Sequence, residues 1–269
     1  LSLQGDGIES LNVDKQDQLW LVLASSNTVV NWDPVSNQRR EFLKDVDPTF
    51  TFVDTENQVW VATAGQGTFR ISSDRNQVDH LLNNSAANSL SSNTITAILQ
   101  SDADTLWFAS SQGVDRYAKS SGKLQHFNHV IEGEVIAIQS MSIDSSGMLW
   151  LATSHGVSRL DPATGLFNFF STNDGLSSNG FMPRAVTQTA DGRIFLGSVE
   201  GVTAIAPANV FVNQVQPPVK ITSVKVDDKI QPFPLPAVLE LPNDFKNLTI
   251  NFAALDFQAT EDNRYQTRL

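Results

Sequence analysis

An all-β chain built from a repeated four-stranded unit is what this sequence predicts, and three observations predict it. Four of the five tryptophans fall in one local pattern, DKQDQLWLVLA, DTENQVWVATA, SDADTLWFASS and DSSGMLWLATS. A fifth copy, DGRIFLGSV, puts Phe where Trp stood, and the aligned positions Trp20, Trp60, Trp107, Trp150 and Phe195 lie 40, 47, 43 and 45 residues apart. Around each of them the same features recur in the same order. A period of about 45 residues, with turn residues between short apolar runs, is that of the blades of a β-propeller.

Each copy reads as four strands. The first is an apolar run ending at an Asp or just before one (SLNVD, FTFVD, AILQSD, SMSID, AVTQTAD). A polar turn leads into the second strand, whose LWLAT-like run is apolar on both faces. Alternation fails there because a blade lies between two neighbours and buries both faces of its inner strands. A hairpin carrying Gly follows (AGQGTFRI, SSQGVDRY, TSHGVSRL, SVEGVTAI), as a tight turn needing positive φ requires. Turns rich in Asp-Pro or Ser come next (WDPVSNQ, SSDRNQ, AKSSGK, LDPATG), and then an outer strand (RREFL, VDHLL, LQHF, FNFF).

The fold class is therefore a β-propeller with five recognisable blades over residues 1–213, as a complete ring or as part of a larger one. The last blade supplies three strands, near Ala185–Thr189, Ile194–Ser198 and Val202–Ala206. Leu1–Gln4 resembles an outer strand without a blade of its own. It either adds the fourth strand to the last blade, removing an open edge, or belongs to a blade further upstream. Leu1 is not a Met start, so the chain reads as a piece of something longer. At VQPPVK the composition shifts, and a proline pair marks a boundary. KITSVKVDD and KNLTINFAALDF then alternate with period two, around the proline-rich QPFPLPAVLELP. Residues 214–269 are expected to be the first part of an immunoglobulin-like sandwich, too small to bury its own face, with Ile250, Phe252 and Leu255 in need of cover.

Composition narrows the chemistry. The chain has 269 residues, 41% of them apolar, with 16 Phe and 5 Trp to fill a core. Its net charge of −11 disfavours nucleic acids, polyanions and anionic membrane surfaces. The absence of cysteine excludes disulfides and thiolate metal sites. No run of 18 or more apolar residues could span a bilayer, so no membrane insertion is expected.

The segment GMLWLATSHGVSRLDPATGLFNFFSTNDGLSS resembles the two-component regulator propeller repeat. The copies around Trp60 and Trp107 depart from it by lacking Asp-Pro. PVKITSVKVDDK and LTINFAALDFQATEDNRYQTRL look like the start of the Y-Y-Y domain, which follows such propellers directly in that family. The resemblance implies a membrane-anchored bacterial receptor whose propeller lies outside the cytoplasmic membrane, in the periplasm. Its output would be a histidine kinase or a GGDEF diguanylate cyclase, carried by residues other than these. It further implies a ligand, an oligosaccharide or another small molecule, and no catalysis in this part; the open blade edge and the uncovered half-sandwich add an expectation of self-association, as a dimer of the receptor. The rival readings are a propeller enzyme resembling streptogramin lyases and a protein-interaction scaffold.

The polar residues weigh mostly toward structure. His80 and His126 occupy equivalent outer-strand positions, and neither His129 nor His155 belongs to a nucleophile–base pattern. Asp14, Asp17, Asp102, Asp104 and Asp144 lie in turns, where Asp bonds its own backbone, and lack the ligand spacing of a calcium loop. Arg70, Arg116 and Arg159 each follow the hairpin Gly by three residues and suit inter-blade hydrogen bonding or packing of the aliphatic stem, in preference to a ring of free basic groups. The ligand-binding candidates are Gln66, Gln112, His155 and Glu200, one position before Gly67, Gly113, Gly156 and Gly201. Varying polar residues on a repeated frame suit a binding rim, and loops on a rigid scaffold are where binding groups collect. No catalytic residue, no cofactor and no metal is assigned.

Overall fold

Five antiparallel sheets follow one another along the chain in the computed structural model, which describes residues 7–84, 86, 88–131, 133–210, 218–236 and 238–254. Blade 1 comprises Ile8–Val13, Leu19–Leu23, Thr28–Trp32 and Arg39–Phe42. Blade 2 comprises Pro48–Val53, Val59–Thr63, Thr68–Ile71 and Val78–Leu81. Blade 3 comprises Ile95–Gln100, Thr105–Ser110, Gly113–Ala118 and Lys123–Phe127. Blade 4 comprises Ile138–Ile143, Leu149–Thr153, Val157–Leu160 and Phe167–Phe170. Each is a meander with its strands paired in chain order. Blade 5 has three described strands, Phe181–Gln188, Ile194–Ser198 and Gly201–Ile205, and its inner strand begins earlier than the sequence suggests. Leu1–Gln4 lies outside the described residues.

The tryptophans are core. Trp20, Trp60, Trp107 and Trp150 are all but fully buried, and each belongs to a cluster shared between its own blade and the next. Trp107, Ala109, Val114 and Phe127 of blade 3, for example, pack on Ile138, Met141, Leu149, Leu151 and Leu160 of blade 4. Blades 1 to 4 thus present their Trp side downstream, against the upstream side of the next blade. Large aromatics in such places dominate the energy of burial.

The Asp six residues before each Trp has a role that sequence reasoning missed. The indole N–H of Trp20 donates to Asp14 at 2.9 Å, that of Trp60 to Asp54 at 3.1 Å and that of Trp150 to Asp144 at 2.8 Å. The other carboxylate oxygen closes the turn by accepting backbone N–H groups, those of Gln16 and Gln18 in blade 1. Ser101 takes the place of Asp in blade 3 and accepts from Trp107 at 3.1 Å. Blade 5, with Phe195, has no indole and carries Thr189 there. A buried N–H needs an acceptor, and each of these four tryptophans finds one six residues earlier.

Cations cross between the first blades. Arg75 of blade 2 reaches Asp14 at 2.7 Å, and Lys119 of blade 3 reaches Asp54 at 3.2 Å, with both carboxylates fully enclosed. Arg70, Arg116 and Arg159 stand opposite the Trp of their own blade, with guanidinium carbons 5.9, 5.8 and 5.6 Å from the ring centroids. The sequence-based choice of packing over a ring of free basic groups agrees with this cation–π geometry.

The chain divides into two compact units, Leu1–Val210 and Phe211–Leu269. In the second, Val219–Val226 pairs on one side with Lys229–Ile230 and on the other with Leu248–Ala254. Asp227 and Asp228, at φ 47° and 64°, make the two-residue turn, the primed geometry that matches strand twist. Val224 and Val226 are buried, whereas Ile221, Ile230 and Ile250 are exposed and Phe252 is half-buried. Leu255 lies outside the described residues.

Candidate functional site

In blades 2 to 5 the hairpins between second and third strands close in one way. A hydroxyl at the end of the second strand, on Thr63, Ser110, Thr153 or Ser198, donates to the carbonyl of the Gly beyond the tip, at 2.8, 3.3, 2.9 and 3.1 Å. The same hydroxyl accepts the backbone N–H of Gln66, Gln112, His155 or Glu200. The four candidates therefore sit at one place in four blades, with their side chains at the tips. Gly67, Gly113 and Gly156 have positive φ, and a Cβ on any of them would overlap a carbonyl oxygen of the outer strand, at Leu81, Phe127 or Phe170. That close approach is why the position is Gly.

Gln66 lines a groove. It belongs to a cleft of about 640 Å³ between blades 1 and 2, with Ser26, Asn27, Asp45, Val46, Asp47, Ala64 and Gly65. The Gln66 side chain accepts the backbone N–H of Asp47 at 2.9 Å and donates to the Asp45 carbonyl at 3.4 Å. This bond spans from the blade 2 hairpin to the blade 1–2 connector and holds the wall in place. Asn27 and Asp45 adopt left-handed backbone, φ 48° and 62°, which Asn and Asp tolerate better than most residues. The walls carry carboxylates and amides and no cation, so they suit a neutral ligand rich in hydroxyl donors. Asp45, Asp47 and Asn27 escaped the sequence reading. The signal for them was the short connector Leu43–Asp47, which leaves two Asp at the rim beside the hairpins.

Gln112, His155 and Glu200 are exposed tips away from this groove. His155 Nδ1 lies 2.9 Å from the Ser154 hydroxyl. The remaining histidines are each held locally. His80 stacks on Phe69 with centroids 4.0 Å apart, and its Nε2 bonds the Gln66 carbonyl. His126 Nδ1 meets the enclosed Asp115 carboxylate at 2.6 Å.

His129 Nε2 is 2.7 Å from the Ser158 hydroxyl, a spacing a nucleophile and its base would share. Both side chains are sealed from solvent, and the second ring nitrogen faces the Ile136 carbonyl instead of a carboxylate. No substrate could reach that serine. The pair pins the blade 3–4 connector to the third strand of blade 4, and burial pushes the His129 pKa below its ordinary 6.5 despite the Ile136 bond.

The turn aspartates are spent on structure. Burial disfavours charge on Asp14, but the Trp20 indole, the backbone N–H groups of Gln18 and Gln16, and Arg75 together hold its carboxyl below the ordinary 3.8. Burial likewise opposes ionisation of Asp144, and the Ser146 hydroxyl, the Trp150 indole and the Met148 and Ser146 amides lower it nonetheless. Asp102 accepts the backbone N–H groups of Asp104 and Thr105, both at 2.9 Å. Asp104 in turn accepts from the Ser120 hydroxyl at 3.0 Å.

Comparison with solved structures places this architecture. The extracellular domain of the hybrid two-component system BT3049 from B. thetaiotaomicron superposes with a TM-score of 0.63 at 19% identity, over 83% of this chain and 32% of that one. The extracellular domain of BT4673 from the same organism gives 0.61 at 16% identity, over 73% of this chain and 27% of that one. The chain shares their propeller fold. Virginiamycin B lyase from Staphylococcus aureus has it too, with a TM-score of 0.59 at 15% identity, over 77% of this chain and 69% of that one. The chain spans about a third or less of the length of the two extracellular domains. No protein-family model matches the sequence, and no curated protein does. Among the described residues no helix is long and apolar enough to cross a membrane.

Proposed function

We propose that this chain is a ligand-sensing module that works outside the cytoplasm, as part of a membrane-anchored bacterial signalling receptor. The observation that carries the reading is the rim groove between blades 1 and 2, where Gln66 braces a wall of carboxylates and amides. A cleft of about 640 Å³ has room for a small saccharide, and acceptors without a cation favour neutral polyols. Likeness to extracellular domains of two-component systems supports the setting. In this reading the ligand is a carbohydrate or another small polar molecule, the module lies in the periplasm, and it does no chemistry. The second unit is the opening part of a Y-Y-Y domain leading toward the membrane, and receptor copies associate.

Calorimetric titration of the chain with a panel of neutral and acidic oligosaccharides tests this. A neutral saccharide should bind, and Gln66→Ala or Asp45→Ala should weaken it at least tenfold. Failure of the whole panel, or binding that both variants leave intact, sinks the proposal.

A further inference from the structure

Between blades 2 and 3, beside their outer strands, lies a second cavity of about 180 Å³. Leu81 and Leu82 at the end of the blade 2 outer strand and Leu124 in that of blade 3 supply its apolar walls, with His80, Asn84 and Tyr117 as polar neighbours. Asn88 ties these parts together: its amide donates to the Gly122 carbonyl at 2.9 Å and accepts the Leu124 N–H at 2.7 Å. The cavity is thus framed by fixed contacts of the blade 2–3 connector with blade 3. It shares no lining residue with the rim groove.

Tyr117 is 7% exposed, and its ring packs on Trp60 and Phe108 with centroids 5.7 and 6.0 Å away. That leaves the hydroxyl as the end that meets the cavity, and among the described residues the hydroxyl has no hydrogen-bond partner. A buried phenol O–H is normally bonded. Burial pushes its pKa above the ordinary 10.0, so it keeps its proton and is a donor. His80 adds an acceptor. Its Nε2 meets the Gln66 carbonyl at 2.6 Å and so carries the hydrogen, which leaves Nδ1 of the neutral ring to accept. Among the described residues no Asp, Glu, Lys or Arg lines the cavity.

We propose that this cavity is a second binding site, for a neutral one-ring molecule that carries a hydroxyl. The Tyr117 hydroxyl donates to the ligand oxygen, and the three leucines cover the ring. Size sets the limit at one ring, since an engineered apolar cavity of about 150 Å³ holds benzene. A charged ligand would lose its water against the leucines and find no opposite charge in return. The site stands on Tyr117 and is independent of the rim groove.

Titration of the chain with benzyl alcohol and with toluene, followed through its backbone amide resonances, tests this. Benzyl alcohol should shift the Leu82, Ser89 and Leu124 amides saturably, in the millimolar range. Tyr117→Phe should weaken benzyl alcohol at least fivefold and leave toluene within twofold. The urea midpoint of that variant should be unchanged, because no described group loses a hydrogen bond. Gln66→Ala, which disturbs the rim groove, should leave both probes unaffected. Amides that do not shift overturn the proposal, and so does a Tyr117→Phe protein that loses both probes alike or unfolds earlier. Loss of benzyl alcohol on Gln66→Ala overturns it as well.

Discussion

At the scale of the residue, the unit of this fold is a carboxylate and an indole six positions apart. The Asp gains donors that make its charge tolerable in an enclosed place, and the Trp gains the acceptor that lets its N–H be buried. Trp60 is the most connected case: it packs on Phe108 and Tyr117 of blade 3 and donates to Asp54, which also receives Lys119. Trp60→Ala should lower the unfolding free energy by about 3–5 kcal/mol, the range for large core aromatics. Trp60→Phe keeps most of the volume and leaves Asp54 its lysine, so about 1–2 kcal/mol is expected from the lost hydrogen bond. Urea unfolding of the two variants measures both; equal losses would contradict a separate role for the indole N–H.

At the scale of the element, one connector is docked by a buried polar side chain. The blade 3–4 connector, with its small hairpin Val130–Ile131 and Glu134–Val135, is held by His129 between Ser158 and the Ile136 carbonyl and against Phe167. The pKa of His129 lies below 6.5 in the folded protein, so the unfolded chain takes the proton first as pH falls. Its contribution to stability is therefore complete above about pH 6.5 and is lost progressively below it, down to the folded pKa. The urea midpoint should fall between pH 7 and pH 5, and His129→Gln should flatten that slope. A slope identical in the variant would assign it to other groups. Asp14 and Asp144, whose folded values lie below 3.8, act in a separate window: their contribution is present above that value and lost as pH falls beneath it.

At the scale of the whole molecule, the parts legible in the sequence were the periodic ones. The Trp series, the hairpin glycines and the four-strand order repeat at a spacing that survives without any knowledge of contacts. The pairing of Arg75 with Asp14 was not legible, because it joins residues 61 positions apart through the way one blade's turn reaches the previous blade. The same limit governed the site. Gln66 stood out as a variable residue on a fixed frame, whereas Asn27, Asp45 and Asp47 join it only because a short connector bends back between two hairpins. Gln112, His155 and Glu200 share its position but do not line that groove. Equivalence by repeat gave the place and not the neighbourhood.

The crossing cations also set an order in time. Blades 1 and 2, and blades 2 and 3, are tied by an ion pair with an enclosed carboxylate, and removing one partner of such a pair costs several kcal/mol. Among the described residues the series stops there: Ser101 in blade 3 has no charge to offer, and Asp144 in blade 4 bonds only within its own blade. Blade 5 is joined to blade 4 by an apolar cluster and has three described strands. Repeat arrays open where the junction between neighbours is weakest. Backbone amides of blade 5 should therefore exchange with solvent deuterium well before their counterparts in blades 2 and 3, and uniform exchange along the arc would contradict this. A molecule that loosens from one end keeps its first blades, and the groove between them, intact while the other end comes and goes.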